Sequence, residues 1–264
     1  MTDRAAILIR RVLVAVRPMD RPDEMIDIAT RLAAAFGAEL SGHFVKDRDL
    51  INLAAHSFTR RVDMKTGALE ALDIDMMERA LTVHADAARR LLAAGAAARR
   101  LQWSFETITA PVLEALSGLC QAPGLVVATL EDDNHRQSLE SQLAALVGSV
   151  PAASPVLLLR PGRMLHGSVI TTADERALAY ADRLAQEFGR PLVVLVSSEA
   201  ERARVTEQAG GLMTPARIEL TDATAAIPPG PFACGLLVIG RHDIAGYAGF
   251  AEQIGCHIFL TDEA

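Results

Sequence analysis

Two patterns of apolar and polar residues alternate along the chain. Short runs that are apolar at nearly every position occur at 124–128, 155–159, 235–239 and 256–260, and runs of that length suit strands buried on both faces of a sheet. Further short β-rich runs stand at 12–16, 39–45, 103–108, 168–172, 191–197 and 216–220. Between them the spacing of apolar residues predicts helices over 28–36, 76–100, 111–119, 138–147, 180–188 and 200–209. Pro111 suits the first turn of its helix, where the missing N–H costs nothing.

The pattern also repeats itself. Laid over one another, Ile28-Ala29-Thr30-Arg31-Leu32-Ala33-Ala34-Ala35-Phe36-Gly37 and Tyr180-Ala181-Asp182-Arg183-Leu184-Ala185-Gln186-Glu187-Phe188-Gly189 agree at six of ten positions. Ala29, Leu32, Ala33 and Phe36 share one helical face, as do Ala181, Leu184, Ala185 and Phe188, and Gly37 and Gly189 stand where a helix takes its left-handed stop. A β-rich run precedes and follows each helix, so a β-α-β unit is written twice. The echo continues, with 124–128 matching 235–239 and 155–159 matching 256–260. The second copy is shorter and carries a connection rich in proline, Pro228, Pro229 and Pro231.

These elements predict an α/β chain of two tandem domains, each a five-stranded parallel sheet covered by helices on both faces, the second trimmed. The expected boundary lies in Arg160-Pro161-Gly162-Arg163, where Pro-Gly interrupts both periodicities, giving domains at 1–161 and 162–264. The segment 47–75 has mixed polarity and no clean period, and it reads as a surface loop with a helical turn.

Half of the 264 residues are apolar and 22% are charged, which supplies one large core or two small ones and argues against disorder. A net charge of −7 from scattered acids repels polyanions, and the basic pairs Arg10/Arg11, Arg60/Arg61, Arg89/Arg90 and Arg99/Arg100 lack interleaved aromatics. Nucleic acid is therefore not the expected partner. Cys120, Cys234 and Cys256 show no metal or disulfide spacing and fit a reducing cytoplasm. No apolar run approaches the length of a bilayer span, so no membrane is expected.

The run Arg11-Val12-Leu13-Val14-Ala15-Val16, the helix ending Phe36-Gly37-Ala38-Glu39-Leu40 and the strand ending His43-Phe44-Val45 resemble the opening of a universal stress protein domain. Gly148-Ser149-Val150 and Pro155-Val156-Leu157-Leu158-Leu159-Arg160 resemble its closing strand. With the second copy, the resemblance covers most of the chain and is to the tandem members of that family. It implies the adenine nucleotide hydrolase-like fold type and a binding or regulatory role in stress response, and the erosion of the family's ATP-binding signatures in this chain leads to the expectation of no enzymatic activity. The resemblance also implies an Asp at the end of the first strand that contacts adenine nucleotide, and a Gly-x2-Gly-x9-Gly-Ser/Thr phosphate loop after the fourth.

The sequence departs from both signatures. Arg17 follows Val16, and the fourth strand of the first half leads through Thr129 into Glu131, Asp132, Asp133 and His135, which supplies acids in place of glycine. Close approach to phosphate needs small residues and exposed N–H groups, and carboxylates there repel it. In the second half Thr171 and Thr172 stand where the Asp would lie, and Gly240-Arg241-His242 follows the fourth strand without the family spacing. The candidate ligand loops are thus Arg17, Thr129 and Ser138 in one half and Thr171, Thr172, Gly240, Arg241 and His242 in the other. Ser138 reads first as a helix N-cap, and Arg17 as a surface residue near a strand end.

No P-loop or dinucleotide fingerprint follows Val16 or Thr172, no zinc spacing links the seven histidines, and no Gly-x-Ser-x-Gly elbow exposes a serine. The acidic run with His135 reads as a solvated loop, not a Mg²⁺ or Ca²⁺ site. The leading expectation is a stress-response protein that works by binding, with no resident cofactor and with dimer or pseudo-dimer pairing through the apolar fifth strands. One alternative is a nucleotide-binding module or weak hydrolase that holds ATP or AMP phosphates with Arg17 and Arg241. Another is a scaffold docking a protein through 47–75.

Overall fold

The computed structural model describes residues 7–54, 56, 59–62, 65–71, 74–121, 123–130, 139–149, 154–163, 165–220 and 234–262. Every run read as β-rich forms a strand. In the first half these are β1 (Arg11–Val16) and β2 (Glu39–Asp47), then, after the 47–75 segment, β5 (Trp103–Ala110), β6 (Leu125–Thr129) and β7 (Val156–Leu159). The second half supplies β8 (Ser168–Thr172), β9 (Leu192–Val196), β10 (Ala216–Leu220), β11 (Cys234–Ile239) and β12 (His257–Leu260).

The segment 47–75 corrects the loop reading. It contains α2 (Arg48–Ala54) and an antiparallel pair, β3 (Arg60–Val62) and β4 (Leu69–Ala71), with the turn through Gly67 at φ +69°. Three-residue strands are too short to leave a period in the sequence. Its exposed Val62 and Leu69 show that the pair stands clear of the core.

The helices over the first half are α1 (Pro22–Phe36), α3 (Ile74–Arg99), α4 (Val112–Cys120) and α5 (Leu139–Ser149); those over the second are α6 (Glu175–Phe188), α7 (Glu199–Ala209) and α8 (Ile244–Ile254). Helix α1 begins with Pro22 in its first turn, and both α1 and α6 end on glycine in the left-handed conformation, Gly37 at φ 63° and Gly189 at φ 61°. Helix α8 is not legible in the sequence: Gly246 and Gly249, both on its exposed face, weaken its helical propensity. Packing of Ile244, Ala248 and Ala251 against the sheet overrides that weak propensity.

Leaving aside the separate β3 and β4 pair, each half orders its five sheet strands third, second, first, fourth, fifth, and every pairing among those five is parallel. The two five-stranded units do not stay separate as two sheets. β12 pairs antiparallel with β7, Phe259 opposite Leu157, so one ten-stranded sheet runs β10-β9-β8-β11-β12-β7-β6-β1-β2-β5. The apolar edges read as a dimer contact are therefore consumed within the chain as a pseudo-dimer, because pairing the two halves satisfies their N–H and C=O groups. A homodimer through those fifth-strand edges is closed off. The turn at Pro161 and Gly162 lies between β7 and β8.

Helices α1, α3 and α6 cover one face and α4, α5 and α8 the other. Where the halves meet, the repeated residues exchange contacts. Arg31 of α1 lies 4.8 Å from the Phe188 ring centroid and donates to the Glu187 carbonyl at 3.0 Å. Arg183 of α6 lies 5.9 Å from the Phe36 ring and donates to the Ala35 carbonyl at 2.6 Å. Both carbonyls belong to a last helical turn, where no N–H of the helix reaches them.

Candidate functional site

In an open parallel sheet a ligand cleft forms beyond the carboxyl ends of the strands, where the strand order reverses. That point falls between β1 and β6 in the first half and between β8 and β11 in the second, and a cleft lies at each.

The first cleft, about 210 Å³, is walled by Asp20, Arg21, Glu24, Thr129, Arg160, Arg163 and His257 among others. Its floor is tied shut by side chains. Arg17 pairs with Asp20 at 3.1 Å and donates to Thr129 Oγ1 at 2.8 Å and the Leu130 carbonyl at 3.3 Å. Thr129 Oγ1 in turn donates to Asp20 Oδ1 at 2.5 Å, and the Arg17 backbone N–H donates to Asp20 Oδ2 at 2.6 Å. The Asp20 side chain is only 2% exposed. The structure thus joins Arg17 and Thr129, as their strand-end positions suggest, but through Asp20, which sequence reasoning passed over. The turn formed by the Asp20 N–H donating to the Arg17 carbonyl returns this acid to the strand end three residues late.

The second cleft is larger, about 640 Å³, and its walls include Thr172, Asp174, Glu175, Ser197, Glu201, Arg204, His242, Asp243 and Tyr247. Thr172 and His242 are therefore brought together here. Thr172 Oγ1 donates to Asp243 at 3.3 Å, and burial pushes the Asp243 carboxyl above its ordinary range. Burial also raises the Tyr247 phenol. Arg204 is committed to the Ala173 carbonyl at 3.1 Å and to Glu201 at 3.5 Å, and Glu201 accepts from the Ser197 N–H at 2.7 Å. Four carboxylates thus face one guanidinium and a histidine. The missed acid Asp174 caps α6 by accepting from the Ala177 N–H at 2.7 Å, and its signal was its place just before the helix.

The other candidates do not gather at either cleft. Arg241 is buried and donates to the Thr261 carbonyl at 3.3 Å and across the seam to the Ser154 carbonyl at 2.8 Å. It ties the two halves together at this point. Thr171 is fully buried on the α6 side, and its hydroxyl has no hydrogen-bond partner among the described residues. Gly240 lies under the His242 ring, whose Cε1 would stand 2.5 Å from an added Cβ, so the glycine makes room for a side chain and not for phosphate. Ser138 and the acidic run 131–133 with His135 lie outside the described residues, as do Pro228, Pro229, Pro231 and Val150. Gly148 and Ser149 lie within α5 and not in a loop. Among the described residues no cluster of three His, Cys, Asp or Glu side chains has a metal-holding arrangement, and no helix is long and apolar enough to cross a membrane.

No family model matches the sequence, and no curated protein matches it. Among solved structures the fold is similar to that of a universal stress protein from Archaeoglobus fulgidus DSM 4304, with a TM-score of 0.62, 14% identity and 96% of each chain covered. It is also similar to a functionally unknown protein from Pseudomonas aeruginosa PAO1, with a TM-score of 0.58 and 17% identity over 96% of this chain and 92% of that one.

Proposed function

We propose, from a chain that has the universal stress protein fold, a regulatory protein of stress response, cytoplasmic, that works by binding and holds no adenine nucleotide in the usual way. The observation that carries this reading is the closed Arg17, Asp20, Thr129 cluster, which fills the first strand-end position with a self-neutralised ion pair. An anion arriving there must break charge-assisted bonds before it gains any. The second cleft has room for a ligand but presents Asp174, Glu175, Glu201 and Asp243, so it repels a polyphosphate and favours a cationic or neutral polar molecule.

The test is calorimetry with ATP and AMP, joined to mass spectrometry of protein purified without added nucleotide. The expected result is neither a retained nor a titratable nucleotide. A retained nucleotide, or saturable heat at micromolar concentration, would overturn the reading in favour of a nucleotide-binding module. Thermal-shift measurements with small organic cations then probe the second cleft, since a ligand of the native state alone raises apparent stability.

A further inference from the structure

At the opposite ends of the strands, under α4, the sheet face changes character. Toward the centre its inward positions are Leu13, Val126 and Leu158, whereas along β2 and β5 they are Ser41, His43, Ser104 and Glu106. Residues two apart on a strand share a face, and the register sets Ser41 opposite Ser104 and His43 opposite Glu106. Ser41 Oγ lies 2.9 Å from His43 Nε2 and 2.9 Å from Ser104 Oγ. On the far side of the ring, His43 Nδ1 lies 2.8 Å from Glu106 Oε1. Ser41 and His43 are buried while the Glu106 side chain is 65% exposed. A cleft of about 550 Å³ opens on this row, with Leu40, Trp103, Phe105 and Leu119 as its apolar wall and Arg11 and Gln102 as its donors.

We propose that Ser41 is a nucleophile with His43 as its general base and Glu106 as a positioning residue, and that this cleft takes small uncharged carboxylic esters. A serine, an imidazole and a carboxylate joined in this order form the constellation that activates a hydroxyl, recognised by geometry and not by sequence order. His43 Nε2 takes the Ser41 proton as Oγ forms its bond to the ester carbonyl carbon. The tetrahedral species collapses, the bond to the leaving alcohol breaks, and His43 returns the proton to that alcohol. Water then attacks the acyl-serine, passes a proton through His43 to Oγ, and leaves with the acyl group as carboxylic acid.

The surroundings fit these roles. Burial holds the His43 pKa below its ordinary value, more strongly than Glu106 raises it, so the ring is neutral and able to accept a proton at neutral pH. The Glu106 contact is short but off the N–H axis, since Nδ1 has no aligned hydrogen-bond partner among the described residues. Such contacts are often loose before substrate excludes water. Arg11, paired with Glu39 at 3.6 Å, is the cation on the wall for the developing oxyanion. This site shares no lining residue with either strand-end cleft.

The test treats the full chain with a fluorophosphonate and with 4-nitrophenyl acetate. A single phosphonyl adduct is expected on Ser41, mapped by peptide mass spectrometry in the unaltered protein, so the result does not depend on any variant folding. Ser41→Ala should abolish the adduct and the ester turnover, and His43→Gln should slow labelling by about 100-fold, the scale of a lost general base. The charged groups facing His43 are Glu106 on β5 and Arg11 and Glu39 on β1 and β2, α4 presenting only Gly118 and Leu119 to the cleft. Glu106→Gln should therefore move the midpoint of the labelling-pH profile downward, which a merely structural carboxylate would not do. Absence of a Ser41 adduct in the native protein, or equal labelling rates in His43→Gln, overturns the proposal.

Discussion

His257 is 2% exposed at the start of β12, where the Arg160 backbone N–H donates to its Nδ1 at 3.0 Å. With Nδ1 accepting, the proton of the neutral ring sits on Nε2, which is buried without a hydrogen-bond partner among the described residues. Burial, and then the Arg160 charge, pull its pKa down to about 4 from 6.5. The unfolded chain therefore binds a proton first as pH falls, and stability is lost between pH 6.5 and about 4. Linkage gives a loss of about 2 kcal/mol from this residue between pH 7 and pH 5. His257→Asn, which keeps an acceptor near Nδ1, should shrink the difference in urea stability between those pH values by that amount; an unchanged difference would exclude the role. Neither His257 nor Asp20 stood out in the sequence, because what makes each unusual is the backbone or side chain that another segment brings against it.

At the scale of elements, the repeat that made the fold legible also marks a joint. Arg31 and Arg183 match in the aligned decapeptides, but nothing in one copy says that each arginine addresses the other copy's helix end. Removing either one deletes a cation-π contact and a charge-assisted hydrogen bond to a helix-terminal carbonyl. Arg31→Ala and Arg183→Ala should each lower stability by about 1 to 2 kcal/mol in chemical denaturation. The exposed Arg89→Ala on α3 should change it by less than about 0.5 kcal/mol. Equal effects at all three positions would remove the joint. Strands and long helices were readable because their periods persist for several residues. The β3 and β4 pair was too short for a period, and α8 was hidden because the exposed Gly246 and Gly249 lower helix propensity while Ile244, Ala248 and Ala251 supply the stabilisation by packing on the sheet.

Across the whole molecule, both apolar layers run through the seam. The layer under α1, α3 and α6 contains Val14 and Leu40 with Val169 and Leu184, and the opposite layer contains Leu13 and Val126 with Ile170 and Leu237. Neither half can expose its fifth strand without opening both layers. The two halves should therefore unfold in one thermal transition, coincident by far-ultraviolet circular dichroism and calorimetry. Two resolved transitions would show the seam to be a weak interface between independent domains.

Local periodicity and a ten-residue echo determined the ten strands of the main sheet, most helices, the duplication and the strand-end places where Arg17, Thr129, Thr172 and His242 lie. Those properties reside in contiguous segments, so they survive in one dimension. Only the tertiary structure decided that β7 pairs with β12, that Asp20 closes on Arg17, that Arg241 crosses the seam and that β5 brings Glu106 beside His43. Each depends on register between segments far apart in the chain, and register is set by the packing of the whole sheet.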